Sequence, residues 1–136
     1  AHVGYIGWMP DVSHPIMAGT TGKSRYLEAI RLGKAVSLRD GSPITIQCEA
    51  KVASQWHPIV TLSSSQPCGT TGQSKALEAL KLSLSPIDAT RYDIYYNTHL
   101  SWVGWQGWKK NGEVAGDRPG SHVEAVMMKL VEKSNE

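Results

Sequence analysis

The chain has 136 residues, a length that suits one domain with its own core, and balances 14 Lys and Arg against 12 Asp and Glu for a formal charge of +2. So small a charge excludes the basic stripe of a nucleic-acid binder and a polybasic membrane surface, and the apolar runs fall well short of a bilayer span. Five Trp and five Tyr with no Phe favour rings with polar handles over rings that only supply bulk.

In chain order, Ala1-His2-Val3-Gly4-Tyr5 opens without the basic and apolar regions of a signal peptide, so the sequence reads as an excised soluble piece. Ile6-Gly7-Trp8 follows, and then Gly19-Thr20-Thr21-Gly22 leads into Leu27-Glu28-Ala29-Ile30-Arg31-Leu32. The Leu-Glu-Ala block reads as a strand, with a short helix from Ser24 or Ser74 as the alternative because Leu, Glu, Ala and Lys are good helix formers. Strict alternation puts Glu28, Ile30 and Leu32 on one face and Leu27, Ala29 and Arg31 on the other. Lys34 to Pro43 is a Gly-, Ser- and Asp-bearing connection. Pro43-Ile44-Thr45-Ile46-Gln47-Cys48 alternates like a strand and runs into Ala50-Lys51-Val52 and Gln55-Trp56.

The block at Gly19 then returns as Gly69-Thr70-Thr71-Gly72 and Leu77-Glu78-Ala79-Leu80-Lys81-Leu82, 50 residues later. After a second connection, Ser83 to Arg91, another alternating strand, Arg91-Tyr92-Asp93-Ile94-Tyr95-Tyr96, leads into Thr98-His99-Leu100 and Val103-Gly104-Trp105. Asn111-Gly112, downstream of Trp108, is a type I′ hairpin signal, because both central residues of that turn need positive φ. A decayed third copy, Gly116 to Leu130, carries Val123-Glu124-Ala125-Val126. The first unit lacks the lead-in strand of the other two, so the chain either begins within a unit or is closed by a C-terminal segment. A period of this size marks a repeat architecture. The expected fold is all-β: one domain of three units, approximately 1–40, 41–90 and 91–136, around a pseudo-threefold axis. A β-prism is favoured, with the β-trefoil as the alternative.

The order His-Val, Gly-Trp, Ala-Gly-Thr-Thr-Gly and Leu-Glu-Ala-Ile resembles the ChW repeat, the clostridial hydrophobic repeat with a tryptophan. Ala1 to Leu32 and Thr98 to Leu130 follow the pattern, while the middle unit departs from it with Lys51 for His, Gln55 for Gly and Cys68 for Ala. The resemblance implies a secreted or surface-attached module of Gram-positive bacteria that binds cell-surface or polysaccharide material.

Several motifs have a plain structural reading. Gly19-Thr20-Thr21-Gly22-Lys23-Ser24 is not a P-loop, since Met17 stands where that motif needs glycine and Gln73 replaces the lysine in the second copy. Gly19, Gly22, Gly69 and Gly72 read instead as tight-turn residues. Glu28, Glu78 and Glu124 read as structural carboxylates that accept from the backbone amides of the adjacent turn. Their wide spacing does not differentiate an acid from a base. No metal spacing, nucleophile elbow or cofactor motif is present, so neither metal, cofactor nor catalysis is expected. Cys48 and Cys68 are compatible with a disulfide or with two buried thiols.

Trp8, Trp56 and Trp105 occupy equivalent places suited to core filling or to a sugar platform, with the core favoured. Trp102 and Trp108 have no counterparts and read as exposed stacking surfaces, and Tyr5 stands where Trp102 stands in the third unit. The candidate ligand-binding residues are Tyr5, Trp8, Trp102, Trp105 and Trp108, with His99, Gln106 and Asn111 as polar partners. The expected partner is a cell-surface glycan or peptidoglycan-associated polysaccharide, with a surface protein as the alternative and no part for nucleic acid or membrane insertion.

Overall fold

The computed structural model describes residues 2–6, 9–10, 16–19, 26–32, 35–36, 43–62, 67–70 and 75–133. The first unit contributes β1 (His2–Ile6), β2 (Met9–Pro10), β3 (Ile16–Gly19) and β4 (Leu27–Leu32), followed by β5 (Ala35–Val36), which pairs with β2. The second contributes β6 (Ile46–Val52), β7 (Gln55–Trp56), β8 (Val60–Thr61), β9 (Cys68–Gly69) and β10 (Leu77–Leu84), and ends in a short helix, α1 (Pro86–Ala89). The third repeats that order as β11 (Tyr92–Leu100), β12 (Gly104–Trp105), β13 (Lys109–Lys110), β14 (Ala115–Gly116) and β15 (Val123–Glu132). The fold is all-β.

The Leu-Glu-Ala blocks are strands in all three units, against their helix propensity, because each is claimed from both sides. β4 lies between β1 and β9, β10 between β6 and β14, and β15 between β11 and β3. Ladder pairing on two edges and burial of Leu and Ile outweigh a few tenths of a kcal/mol per residue of helix preference.

One neighbour of each such strand comes from another unit. Ile30 and Ala29 of β4 pair with Cys68 and Gly69 of the second unit, and Leu80 and Ala79 of β10 pair with Ala115 and Gly116 of the third. Val126 and Ala125 of β15 pair with Ala18 and Gly19 of the first. Each unit thus lends its short strand to the unit before it, and the first lends to the third, which closes a ring. The crossing requires glycine: Gly69 has φ +114 and a Cβ there would lie 2.3 Å from the Glu28 carbonyl oxygen, while Gly116 has φ +90 and a 2.9 Å approach to that of Glu78.

The strict alternation expected of these strands does not hold. Val52 and Lys51 pair with Leu77 and Ala79, Leu100 and His99 with Val123 and Ala125, and His2 and Val3 with Leu27 and Ala29. Glu78, Glu124 and Glu28 are each the extra residue of a β-bulge. The bulge lets Leu77 and Leu80 both enter the core, which an unbroken period of two forbids.

Units two and three share their hydrogen bonds as well as their strands. The His57 amide donates to the Ala50 carbonyl at 2.8 Å, as the Gln106 amide does to Thr98 at 3.0 Å. Unit one differs: β1 runs parallel to β4, whereas β6 and β11 run antiparallel to β10 and β15. The C-terminal strand β15 pairs with β11 of its own unit and with β3 of the first.

The core is formed by the inward residues of the long strands, among them Ile46, Ala50, Leu82, Ile94, Tyr96 and Leu130. Cys48 and Cys68 form a disulfide across unit two, with Cα atoms 6.1 Å apart. The Tyr96 hydroxyl, at the position equivalent to Cys48, donates to the Glu113 carbonyl. Burial pushes its ionisation above the ordinary 10.0, and the Leu82 and Gly112 backbones offset part of that shift.

Candidate functional site: a cleft at the end of the third unit

The site begins with the bulge in β15. It brings Glu124 beside His99, which stands on the outward side of β11. The imidazole Nδ1 and the Glu124 Oε1 are 3.0 Å apart, with 18 % of the histidine side chain and 7 % of the glutamate exposed. Trp105, directly opposite His99 on β12, meets the imidazole edge-on with centroids 5.1 Å apart. A buried carboxylate needs a donor, and the imidazole N–H supplies one.

Beyond Leu100 the strand breaks into the loop Ser101 to Val103. The Ser101 amide donates to the His122 carbonyl at 2.9 Å, the His122 amide donates to Ser101 Oγ at 3.0 Å, and the Ser121 hydroxyl donates to the Ser101 carbonyl at 3.0 Å. This clamp places Trp102 at φ 68 with 93 % of its surface exposed. Tyr26, just ahead of β4, packs against His122 with ring centroids 5.5 Å apart. Together Tyr26, His99, Trp102, Val103, His122 and Glu124 line a cleft of about 420 Å³. Rings form its sides and a carboxylate–imidazole pair its floor, which is the composition of a site that holds a partly apolar, hydroxyl-bearing ligand.

The structure brings together only some of the residues expected at a site. Trp102 and His99 line the cleft and Trp105 braces it. Trp105 is 37 % exposed and Trp56 lies half-buried under Lys81, 4.4 Å from its ring, so neither is the core residue that was favoured. Both occupy short strands paired to outward positions, His99 and Lys51. The Gln106 amide nitrogen donates to the Gly104 carbonyl at 2.8 Å and braces the loop. Trp108 lies along the outer face under Lys129, 4.6 Å away, outside the cleft. Asn111 sits in the expected turn with Gly112, its side-chain oxygen accepting from the Ile94 amide at 3.0 Å. Tyr5 is in mid-strand opposite Arg31, whereas Trp102 is in a loop, so the two are not equivalent. Trp8, Gly22 and Gly72 lie outside the described residues, while Gly19 pairs with Ala125.

The main-chain carbonyls of Glu28 and Glu78 receive turn amides from the next unit, Thr70 at 3.2 Å and Asp117 at 3.0 Å. The Glu78 carboxylate accepts from the Ser54 amide at 3.2 Å, and that of Glu124 meets His99. The turn residues 20–25 and 71–74 expected to donate to the Glu28 and Glu78 carboxylates lie outside the described residues. Sequence reasoning missed Tyr26 and His122. Their signal was their shared position immediately ahead of the Leu-Glu-Ala block, where unit two has Ala76.

A family model described as "Clostridial hydrophobic W" matches residues 2–33 and 56–86. The chain carries ChW repeats. The match covers the first unit and most of the second, including the departure Cys68 but not Lys51 or Gln55, and does not extend to the third. The third unit shares the strand order and hydrogen bonds of the second. Neither a curated protein nor a solved structure matches the chain. ChW repeats are modules of surface proteins and generally non-catalytic.

Proposed function

We propose that this ChW module is a secreted or surface-attached, non-catalytic binder of cell-wall or cell-surface glycan, with the cleft at the end of the third unit as its site. The observation that carries this reading is Trp102. A bulky residue in the left-handed region costs roughly 1–2 kcal/mol, and exposing the whole indole forgoes its burial, yet three hydrogen bonds hold the loop in place. Such a platform stacks on the apolar face of a sugar ring, while the His99–Glu124 pair and Ser101 address its hydroxyls. The buried disulfide supports an oxidising compartment.

The test is sedimentation with purified Gram-positive cell walls, read by bound protein and by tryptophan fluorescence. Saturable binding that falls at least about tenfold in Trp102→Ala, a loss of roughly 1.4 kcal/mol, is expected. Binding unchanged in that variant would overturn the reading. Binding that survives periodate oxidation of the wall but not protease treatment would transfer the site to a protein partner.

A further inference from the structure

The ring of units builds the same corner twice among the described residues. At the junction of units two and three, Lys51 takes the place of His99, Glu78 that of Glu124, and Ala53-Ser54 that of the Ser101 to Val103 loop. A second cleft of about 370 Å³ opens there, lined by Lys51, Ser54, Glu78, Asp117, Arg118 and His122. Its chemistry differs from that of the first. Lys51 Nζ reaches Asp117 Oδ1 of the next unit at 2.7 Å, and Glu78 is engaged by the Ser54 amide. Arg118 is exposed and, among the described residues, forms no ion pair. His122 lines both clefts. They therefore meet across a single exposed histidine, His122, whose backbone Ser101 holds through its own amide and hydroxyl.

We propose that the two clefts form one groove that binds an internal stretch of a polysaccharide chain, several consecutive sugar residues long, and not a terminal sugar. This rests on the glycan reading of the first cleft. One sugar stacks against Trp102, the chain passes over His122, and the following residues lie in the second cleft. There the fixed Lys51–Asp117 pair and the free fork of Arg118 N–H groups meet hydroxyl and ring oxygens. Each cleft alone is at the small end of the roughly 300–1,000 Å³ typical of ligand sites. Joined, they suit an oligomer, with affinity that grows as successive residues are engaged.

The experiment is calorimetric titration of the intact protein with cell-wall polysaccharide fragments from partial hydrolysis, sized into disaccharide, tetrasaccharide and hexasaccharide pools. The expected result is at least about tenfold tighter binding of the hexasaccharides than of the disaccharides. Arg118→Ala, an exposed change, removes most of that gain, whereas Trp102→Ala weakens every pool. Equal affinity for all lengths, or an Arg118→Ala variant that keeps the full gain, overturns the groove while the single-cleft reading stands. No binding of any pool overturns both.

Discussion

Trp102 combines a left-handed backbone, φ 68, with 93 % exposure, so it gives the fold almost nothing and imposes a conformational cost on it. Trp102→Gly is expected to raise stability by about 1 kcal/mol, the relieved backbone cost less the added chain entropy of glycine, while wall binding is lost. A urea midpoint that falls would show that the indole contributes to packing after all. Gly69 and Gly116 make the opposite case, since both their φ values and the approach of a neighbouring carbonyl forbid a side chain. Gly69→Ala is expected to cost at least about 3 kcal/mol, and Gly116→Ala less because its Cβ sits 2.9 Å rather than 2.3 Å from the carbonyl oxygen. Chemical denaturation of the two variants side by side tests that order. Tyr96 carries a pH dependence. Burial favours its neutral phenol in the folded state, so its contribution is complete below pH 10.0 and is lost as the pH rises through the elevated folded value. Tyr96→Phe should make the fall in stability above pH 10.0 shallower.

Among the elements, the disulfide and the bulges are what spacing left undecided. Cys48 and Cys68 are 20 residues apart, a spacing equally compatible with pairing and with two free thiols; the ladder of β9 with β4 decides it by holding Cys68 with its Cα 6.1 Å from that of Cys48 on β6. Closing a loop of that size is worth about 3 kcal/mol in the chain-entropy account. Reduction should lower the urea-unfolding free energy by that order, and an unchanged midpoint under reductant would show that the bond adds nothing to stability. The Asn111-Gly112 turn was legible because its chemistry is local, both residues having positive φ in the structure. The turn between β6 and β7 was not legible. Ala53 and Ser54 also have positive φ without any turn-forming sequence, held by the Glu78 carboxylate from a strand 24 residues away. The Leu-Glu-Ala strands were readable from their apolar content, but not the bulge at each glutamate, because a bulge is a property of two paired strands and not of one.

At the scale of the whole molecule, the exchange of short strands makes each unit depend on the next. β3 has its ladder partner in the third unit, β9 in the first and β14 in the second. The expected consequence is one cooperative transition. Trp102, Trp105 and Trp108 weight tryptophan fluorescence towards the third unit, while far-ultraviolet circular dichroism reports all three, and the two thermal curves should coincide. Separate midpoints would mean that the units fold independently. By itself the sequence determined the repeat, the all-β class, the Leu-Glu-Ala strands, the Asn111-Gly112 turn and the kinship with ChW repeats, since each is written in residues close together or in copies of one pattern. Only the tertiary structure decided which unit lends a strand to which, that the two cysteines are joined, that Trp105 faces outward, and that Tyr26 and His122 meet His99 and Trp102 in one cleft. Those outcomes depend on the register of strands distant in the chain, where a single extra residue at a bulge changes which side chains share a face.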